Sequence, residues 1–257
     1  MPEYTLPHQL PGEQQRLARM SALLDPFELS QITRLGARPG WTCLELGCGN
    51  GSISQALAKR VAPGGRVVAS DIDTAFIAGL QAPGLEIRRI DVLHDEIEEG
   101  LYDFVVARAM LHHVVPAHVA LKRMIAALKP GGVVLSIEPD MLPCTAAEPD
   151  SMRAFWEGWL KWSIDAGIDY FIGRKISAWL DSLGMKDVAG EGNTAHFNGG
   201  SEWATYWIES IDELAPSLLA SNYITSKMLD EFNMRYRDPH YWSSVITFVA
   251  NWGRKPE

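Results

Sequence analysis

Cysteine is scarce in this chain: Cys43, Cys48 and Cys144 are the only three in 257 residues. They form no CxxC pair and cannot all be bridged to one another, which argues against a disulfide scaffold and against a zinc module. Reduced thiols are the expectation. Long apolar runs are missing too. No uncharged stretch approaches the roughly 18 residues that span a bilayer, and Met1-Pro2-Glu3 opens without a basic segment or an apolar signal core. The expectation is a cytoplasmic chain with no membrane attachment. Positive charge is in deficit, with 23 Lys and Arg against 32 Asp and Glu and a net charge of −9. A phosphate-backbone partner demands clustered Lys and Arg to displace counterions, so no nucleic acid is expected and small-molecule work is favoured. What is present is a core: 47% of residues are hydrophobic and 21% charged, the balance of a folded protein rather than a disordered, collagenous or coiled-coil one. The aromatic residues are unevenly placed. Of 24, 18 follow position 150, including eight of the nine tryptophans, which suggests two parts with different jobs.

Residues 41 to 138 alternate short β-branched runs with helical stretches. The strand runs are 41–46, 66–70, 85–90, 102–107 and 132–137, with helices expected over 52–61, 74–80 and 116–128. Pro116 suits a first helical turn, and Lys129-Pro130-Gly131-Gly132 is a stop. Strand and helix alternating at this spacing means parallel crossovers in an open α/β sheet. A helical lead precedes this core, 9 to 35, with Leu17, Met20, Leu24 and Phe27 as its apolar face. After the core, 151–183 and 201–236 read as helix, 185–197 as a strand and 241–250 as a final strand. The expected organisation is a lead or lid over 1–40, a ligand-binding core over 41–140, and an aromatic-rich helical cap with the last two strands over 141–257. No linker is long enough to separate them.

The most informative segment is Leu44-Glu-Leu-Gly-Cys-Gly-Asn-Gly-Ser52, between the first strand and a helix. Glycines at 47, 49 and 51 let the backbone turn tightly and approach a ligand. A dinucleotide fingerprint needs glycine where Ser52 stands, so a ligand without a pyrophosphate is favoured. Asp71 closes the second strand, where an acid accepts both hydroxyls of a ribose. Asp91 closes the third, where a carboxylate accepts the exocyclic amine of adenine. In an open parallel sheet all three features share the carboxyl edge, beside the switch point where ligands bind.

Taken with Ala107-Arg-Ala-Met-Leu-His-His-Val114, Leu128-Lys-Pro-Gly-Gly-Val133, Glu138-Pro-Asp140 and Trp252-Gly-Arg-Lys-Pro256, these residues resemble the class I S-adenosylmethionine-dependent methyltransferases, in their small-molecule, natural-product branch. The resemblance implies a Rossmann-like seven-stranded sheet whose last strand runs antiparallel. It implies S-adenosyl-L-methionine as cofactor. Gly47, Cys48 and Gly49 would carry backbone against its methionine and ribose parts, with Glu45 supporting the loop and Asp71, with Ile72 beside it, at the ribose. Asp91 and Val92 would read adenine, and backbone at Ala107 and Arg108 would meet the amino group. Arg16 would pair with the cofactor carboxylate, the alternative being a solvated helix arginine, and Tyr4 would close over the site.

Methyl transfer is an in-line displacement, and the protein mainly positions the nucleophile. A base is needed only where the acceptor must lose a proton. His113, then His112, are the first candidates, because an unperturbed pKa of about 6.5 suits neutral pH. Glu138 is the third, with a capping or salt-bridging acid as its alternative. No metal site is expected, since Arg108 stands where a magnesium-assisted enzyme would bring an acid. In the aromatic half, Trp159, Trp162, Trp207 and His196 are candidate acceptor contacts, and plain core is the alternative for each tryptophan. The expected activity is methyl transfer to O, N or C of a small aromatic or apolar metabolite, by a monomer or homodimer. The rival is a relative of this fold that binds the same cofactor and catalyses a cyclisation or similar non-redox step.

Overall fold

The computed structural model describes residues 12–257, and Tyr4 lies outside that range. Two helices and two strands open the sequence: α1 (Glu13–Arg34), β1 (Thr42–Leu46), α2 (Ser52–Val61) and β2 (Arg66–Asp71). They are followed by β3 (Leu85–Arg89), β4 (Tyr102–Arg108), α3 (Ala117–Ala127) and β5 (Leu128–Asp140). The second half holds α4 (Asp150–Asp165), α5 (Ile176–Ser182), β6 (Lys186–Thr194), β7 (Phe197–Asn198), α6 (Glu202–Ala220), α7 (Ser226–Arg237), β8 (Trp242–Ser243) and β9 (Thr247–Arg254). Seven strands form one sheet in the order β3-β2-β1-β4-β5-β9-β6. β1 to β5 pair in parallel and β9 runs antiparallel to both its neighbours, as the resemblance implies. β7 and β8 pair separately.

Period-two alternation explains why the inner strands are apolar throughout. Phe104 and Val106 of β4, with Val133, Leu135 and Ile137 of β5, face one core with α1, α2, α4, α6 and α7. Val105, Ala107 and Val134 face the other, against α3 and α5. With both faces covered, every residue from Phe104 to Ala107 is fully buried. The edge strand β6 is exposed along most of its length and reads polar, Lys-Asp-Val-Ala-Gly-Glu-Gly-Asn-Thr.

Several expected boundaries move. No helix forms over 74–80; only turn hydrogen bonds appear, Ile77 N–H to Thr74 O and Leu80 N–H to Ile77 O. The Asp73 carboxylate accepts the Ala75 N–H, a local turn that competes with a helix, and Gly79 adds backbone entropy in so short a segment. The stop at 129–132 ends α3 but begins β5, taken up as a register shift between Tyr102 and Phe104 of β4. β5 also runs on through Glu138-Pro139-Asp140, which pair with Val249, Phe248 and Thr247. Pro139 is tolerated because Ile137, two residues earlier, turns its carbonyl to Ala109 N on the β4 side, and β4 has ended there. The final strand lies at 247–254 rather than 241–250, since Trp242 and Ser243 pair with β7. The expected helix over 201–236 is broken into α6 and α7.

Candidate functional site

The carboxyl ends of β1 to β5 open into a cavity of about 530 Å³, roofed by α1 and closed by α4 and α6. Of the residues expected at a site, Arg16, Glu45, Gly47, Cys48, Gly49, Asp71, Ile72, Asp91, Val92 and Arg108 line it. So do His112, His113, Trp159 and Trp207. Ala107 does not; it is fully buried in β4, one residue below the rim. Glu138 is fully buried behind the histidine turn. Trp162 packs behind Trp159 and donates its indole N–H to Ser217 Oγ at 3.0 Å, so it is a wall support. His196 is removed from the cavity altogether: its ring stacks on Trp242 at 5.2 Å and Nδ1 meets Ser244 Oγ at 2.9 Å. The expectation of His196 as an acceptor contact fails because β7 pairs with β8 and carries it outward.

At the β1–β2–β3 end the glycine loop has the backbone its sequence demands. Gly47 has φ +70, a left-handed conformation, and a Cβ there would lie 2.5 Å from Met110 Cγ. The loop is braced by Asp71, whose Oδ2 accepts the Gly49 N–H at 2.9 Å while Oδ1 accepts that of Asp73 at 3.1 Å. Asp91 is the second carboxylate on this edge, held by the Leu93 N–H and His94 Nδ1, both at 2.9 Å. Burial alone would raise its pKa, but these donors outweigh it and hold the acid below its ordinary value. Two carboxyl groups on neighbouring strand ends, with Ile72, Ile90, Val92 and Leu93 between and beside them, suit a ribose and an apolar-faced base.

Beneath the loop lies a charged knot. Arg108 Nη1 is 2.7 Å from Asp25 Oδ1 and 2.8 Å from Glu28 Oε2, so its side chain ties β4 to α1. Burial raises Glu28 to about 6, with Asp25 adding to the rise against Arg108. Burial likewise raises Glu45 to about 8, helped by Glu28 and opposed by Ser54, to which Glu45 is hydrogen-bonded. Asp25 and Glu28 were not expected here. Only their partner's position at the end of β4 marks them, and a sequence does not show which helix crosses that point.

The opposite end is aromatic and apolar, built from Trp159, Tyr170, Tyr206, Trp207, Leu214 and Phe248 among others. Tyr170 comes from an irregular segment held in place by the Met141 N–H on its carbonyl, 2.9 Å, which no sequence signal indicates. The charged side chain at this end is Arg16. Its Nε and Nη2 are clasped by Glu13 at 2.7 and 2.8 Å, and Nη1 is 3.4 Å from Tyr206 Oη. The fork expected for a ligand carboxylate is therefore committed to Glu13, one helical turn away. Between the two ends stands the His112–His113 turn. Burial, with the Arg16 charge, drives His112 down to about 3, and burial with the neighbouring imidazole drives His113 well below its ordinary value. Both rings are neutral at pH 7. The described residues hold no cluster of three or more His, Cys, Asp or Glu able to bind a metal ion, and no helix long and apolar enough to cross a membrane.

Comparison with known proteins agrees with this geometry. A family model described as a methyltransferase domain matches residues 14–189. A protein of 37.1 kDa from a Streptomyces fradiae transposon is 34% identical over 129 residues, 48% of this chain and 37% of its own. The demethylmenaquinone methyltransferase of Staphylococcus aureus is 30% identical over 109 residues, 40% of this chain and 45% of its own. The chain thus spans less than half the length of either curated relative. Among solved structures, phosphoethanolamine N-methyltransferase 2 from Haemonchus contortus, in complex with S-adenosyl-L-methionine, superposes with a TM-score of 0.57 at 18% identity, over 95% of this chain and 52% of its own.

Proposed function

The chain belongs to the methyltransferase-domain family, and from that membership we propose that it transfers a methyl group from S-adenosyl-L-methionine to a small, uncharged aromatic or apolar metabolite. One observation carries the reading: a single cavity joins the glycine loop, Asp71 and Asp91 at one end to a chamber of Trp159, Tyr170, Tyr206, Trp207 and Phe248 at the other. The donor set fits the cofactor. Asp71 takes the ribose, Asp91 and the Val92 backbone take adenine, and the loop from Gly47 to Gly49 lies against the methionine part. The cofactor supplies an electrophilic methyl group whose bonding pair stays with sulfur.

The chamber supports an uncharged acceptor. Glu13 pairs with Arg16 at that end, so among the described residues the chamber offers no unmatched charge to a phosphate, carboxylate or amine. Aromatic faces beside a sulfonium add cation–π attraction. Such an acceptor suits a role in natural-product biosynthesis. The three free, buried thiols fit a reducing cytoplasmic setting, and we place the enzyme there as a monomer or homodimer.

Calorimetry with S-adenosylhomocysteine and with NAD tests the cofactor: binding of the first and not the second is expected, and the reverse overturns the reading. Methyl-labelled cofactor with a panel of neutral aromatic compounds tests the transfer. An acceptor converted without a gain of one methyl in mass replaces methyl transfer by the rival cyclisation.

A further inference from the structure

We infer that Glu138 and His112 act as one proton-handling unit, Glu138 as the positioning residue and His112 Nε2 as the atom that takes the proton from a hydroxyl-bearing acceptor. The inference rests on the proposed methyl transfer and names the acceptor group it serves.

Glu138 is fully buried in β5, beyond the last residue of β4. Its Oε1 accepts backbone N–H groups from Met110 at 3.1 Å and Leu111 at 2.8 Å. Its Oε2 accepts that of His112 at 3.3 Å and meets His112 Nδ1 at 2.9 Å. One carboxyl thus fixes both the backbone of the turn and the ring it carries. Because Glu138 does not line the cavity, whatever it contributes there passes through His112. The ring is held on other sides as well. His113 lies tilted against it with ring centroids 3.9 Å apart, Tyr170 lies at 5.4 Å, and the His112 carbonyl accepts the Asp169 N–H at 2.9 Å. With Nδ1 committed to Glu138, Nε2 is the ring nitrogen left to the cavity that His112 lines. The ordering expected from sequence, His113 ahead of His112, is reversed by this carboxyl.

The charges around the pair are few. Arg16 faces it from α1 and lowers His112, Asp169 from the segment before Tyr170 opposes that, and His113 is neutral. Burial raises Glu138 to about 8 against its three backbone donors while it lowers His112. Displaced in opposite directions, the two partners titrate as a pair that holds one proton until about pH 8. Loss of that proton leaves a carboxylate accepting from Nδ1–H, and a basic lone pair on Nε2.

In that state an acceptor hydroxyl donates to Nε2. Its proton passes to Nε2 as the oxygen pair forms the bond to the methyl carbon, and the carbon–sulfur pair remains on sulfur. The unit goes from net negative to net neutral while the sulfonium charge is lost. Opposite charges cancel beside a buried ring in a largely apolar chamber, where such cancellation is strongly favoured. An amine or thiolate acceptor gains much less from this arrangement.

The test uses the full chain labelled with ¹⁵N-histidine and loaded with S-adenosylhomocysteine, whose binding by calorimetry separately checks the proposed function. Nitrogen shifts of His112 are followed from about pH 6 to about pH 9. Nε2 is expected to lose its proton across that range while Nδ1 keeps its hydrogen bond. In Glu138→Gln the amide donates to Nδ1 and Nε2 should hold its proton throughout. An Nε2 that stays protonated in the native chain overturns the inference, as does a titration that Glu138→Gln leaves in place. The native titration decides the matter if that variant does not fold. With methyl-labelled cofactor and the matched probes 2-naphthol and 2-naphthylamine, naphthol should be methylated, and His112→Asn should lower kcat by about 100-fold or more with KM little changed. Preference for the amine, or methylation of neither, overturns the hydroxyl assignment.

Discussion

Arg108 Nη1 lies 2.7 Å from Asp25 Oδ1, a contact that ties the carboxyl end of β4 to the helix preceding the sheet. The same guanidinium reaches Glu28, and both it and Glu28 are almost fully buried. Removing one member of a buried ionic group leaves the others uncompensated, at a cost of about 3–5 kcal/mol. Arg108→Met should therefore lower the unfolding free energy by that amount, read as a fall in the urea midpoint with the slope unchanged. An unaltered midpoint would mean that α1 is held by its apolar contacts alone.

The Glu13–Arg16 pair gives a second stability prediction with a different signature. Glu13→Gln removes the carboxylate that clasps the Arg16 guanidinium at the aromatic end of the cavity, and should destabilise by about 3 kcal/mol. Replacing both, as Glu13→Leu with Arg16→Met, removes the desolvated charges together and should restore most of that loss. A double-mutant cycle measures the difference. Additive losses would show that the two side chains act independently.

Proton linkage follows from the raised carboxyls. Glu45 and Glu138 are displaced to about 8 in the folded chain, so folding at pH 7 takes up a proton at each. A group with a raised folded pKa contributes its full stability below its unfolded value and loses it as pH rises through the folded one. Each carboxyl therefore loses its contribution between its ordinary value of about 4.5 and about pH 8, at about 1.4 kcal/mol per pH unit for each proton, and above about pH 6.5 no histidine opposes the loss. His112 acts in the opposite sense. Its folded value of about 3 costs stability only as pH falls below its unfolded value of about 6.5, so it does not offset the alkaline loss. Glu138→Gln should roughly halve the slope between pH 6.5 and 8, as read from chemical denaturation at stepped pH.

The glycine loop, the two strand-end acids and the histidine turn were legible because their chemistry is local: each follows a period-two apolar run, and such runs end on one edge of the sheet. The placement of Glu138 was not, since only the continuation of β5 past β4 turns it behind His112 instead of into a loop. The clasp of Glu13 on Arg16 lies one helical turn apart, yet a pair at that spacing reads equally as a solvated surface pair. Tyr170 and Phe248 reach the chamber through long-range packing that no short pattern encodes. The helix expected at 74–80 fails for the converse reason: Asp73 makes a local hydrogen bond that sequence periodicity does not weigh.

Substitutions at the aromatic end of the cavity should separate acceptor affinity from stability. Trp159 and Trp207 line the cavity, and their indole N–H groups have no hydrogen-bond partner among the described residues. Phenylalanine at either position loses area but no hydrogen bond. Trp159→Phe should raise the acceptor KM about tenfold, equivalent to about 1.4 kcal/mol, and leave S-adenosylhomocysteine affinity within about twofold. Trp162→Phe should do the reverse of this pattern, losing about 1 kcal/mol of stability with its Ser217 hydrogen bond and little affinity. Equal effects of the two substitutions on KM would return Trp159 to the plain core.

Asp71 braces the glycine loop and is proposed to hold the ribose, and its substitution distinguishes the two roles. Its carboxylate braces the glycine loop through the Gly49 N–H, and the proposed function also gives it the ribose hydroxyls. Asp71→Asn keeps the shape of the side chain and removes the charge. The register of β2 with β1 and β3 is carried by backbone pairs, so the fold should survive. Losing one or two charge-assisted hydrogen bonds should weaken S-adenosylhomocysteine by about 10- to 100-fold. The 2′-deoxy analogue of that ligand separates loop from ribose. The native chain should bind the analogue about tenfold more weakly than the parent, whereas Asp71→Asn, already without the charge that the hydroxyl meets, should barely distinguish them. If both chains lose the same factor on removal of the hydroxyl, Asp71 acts on the loop alone and the ribose is held by another group.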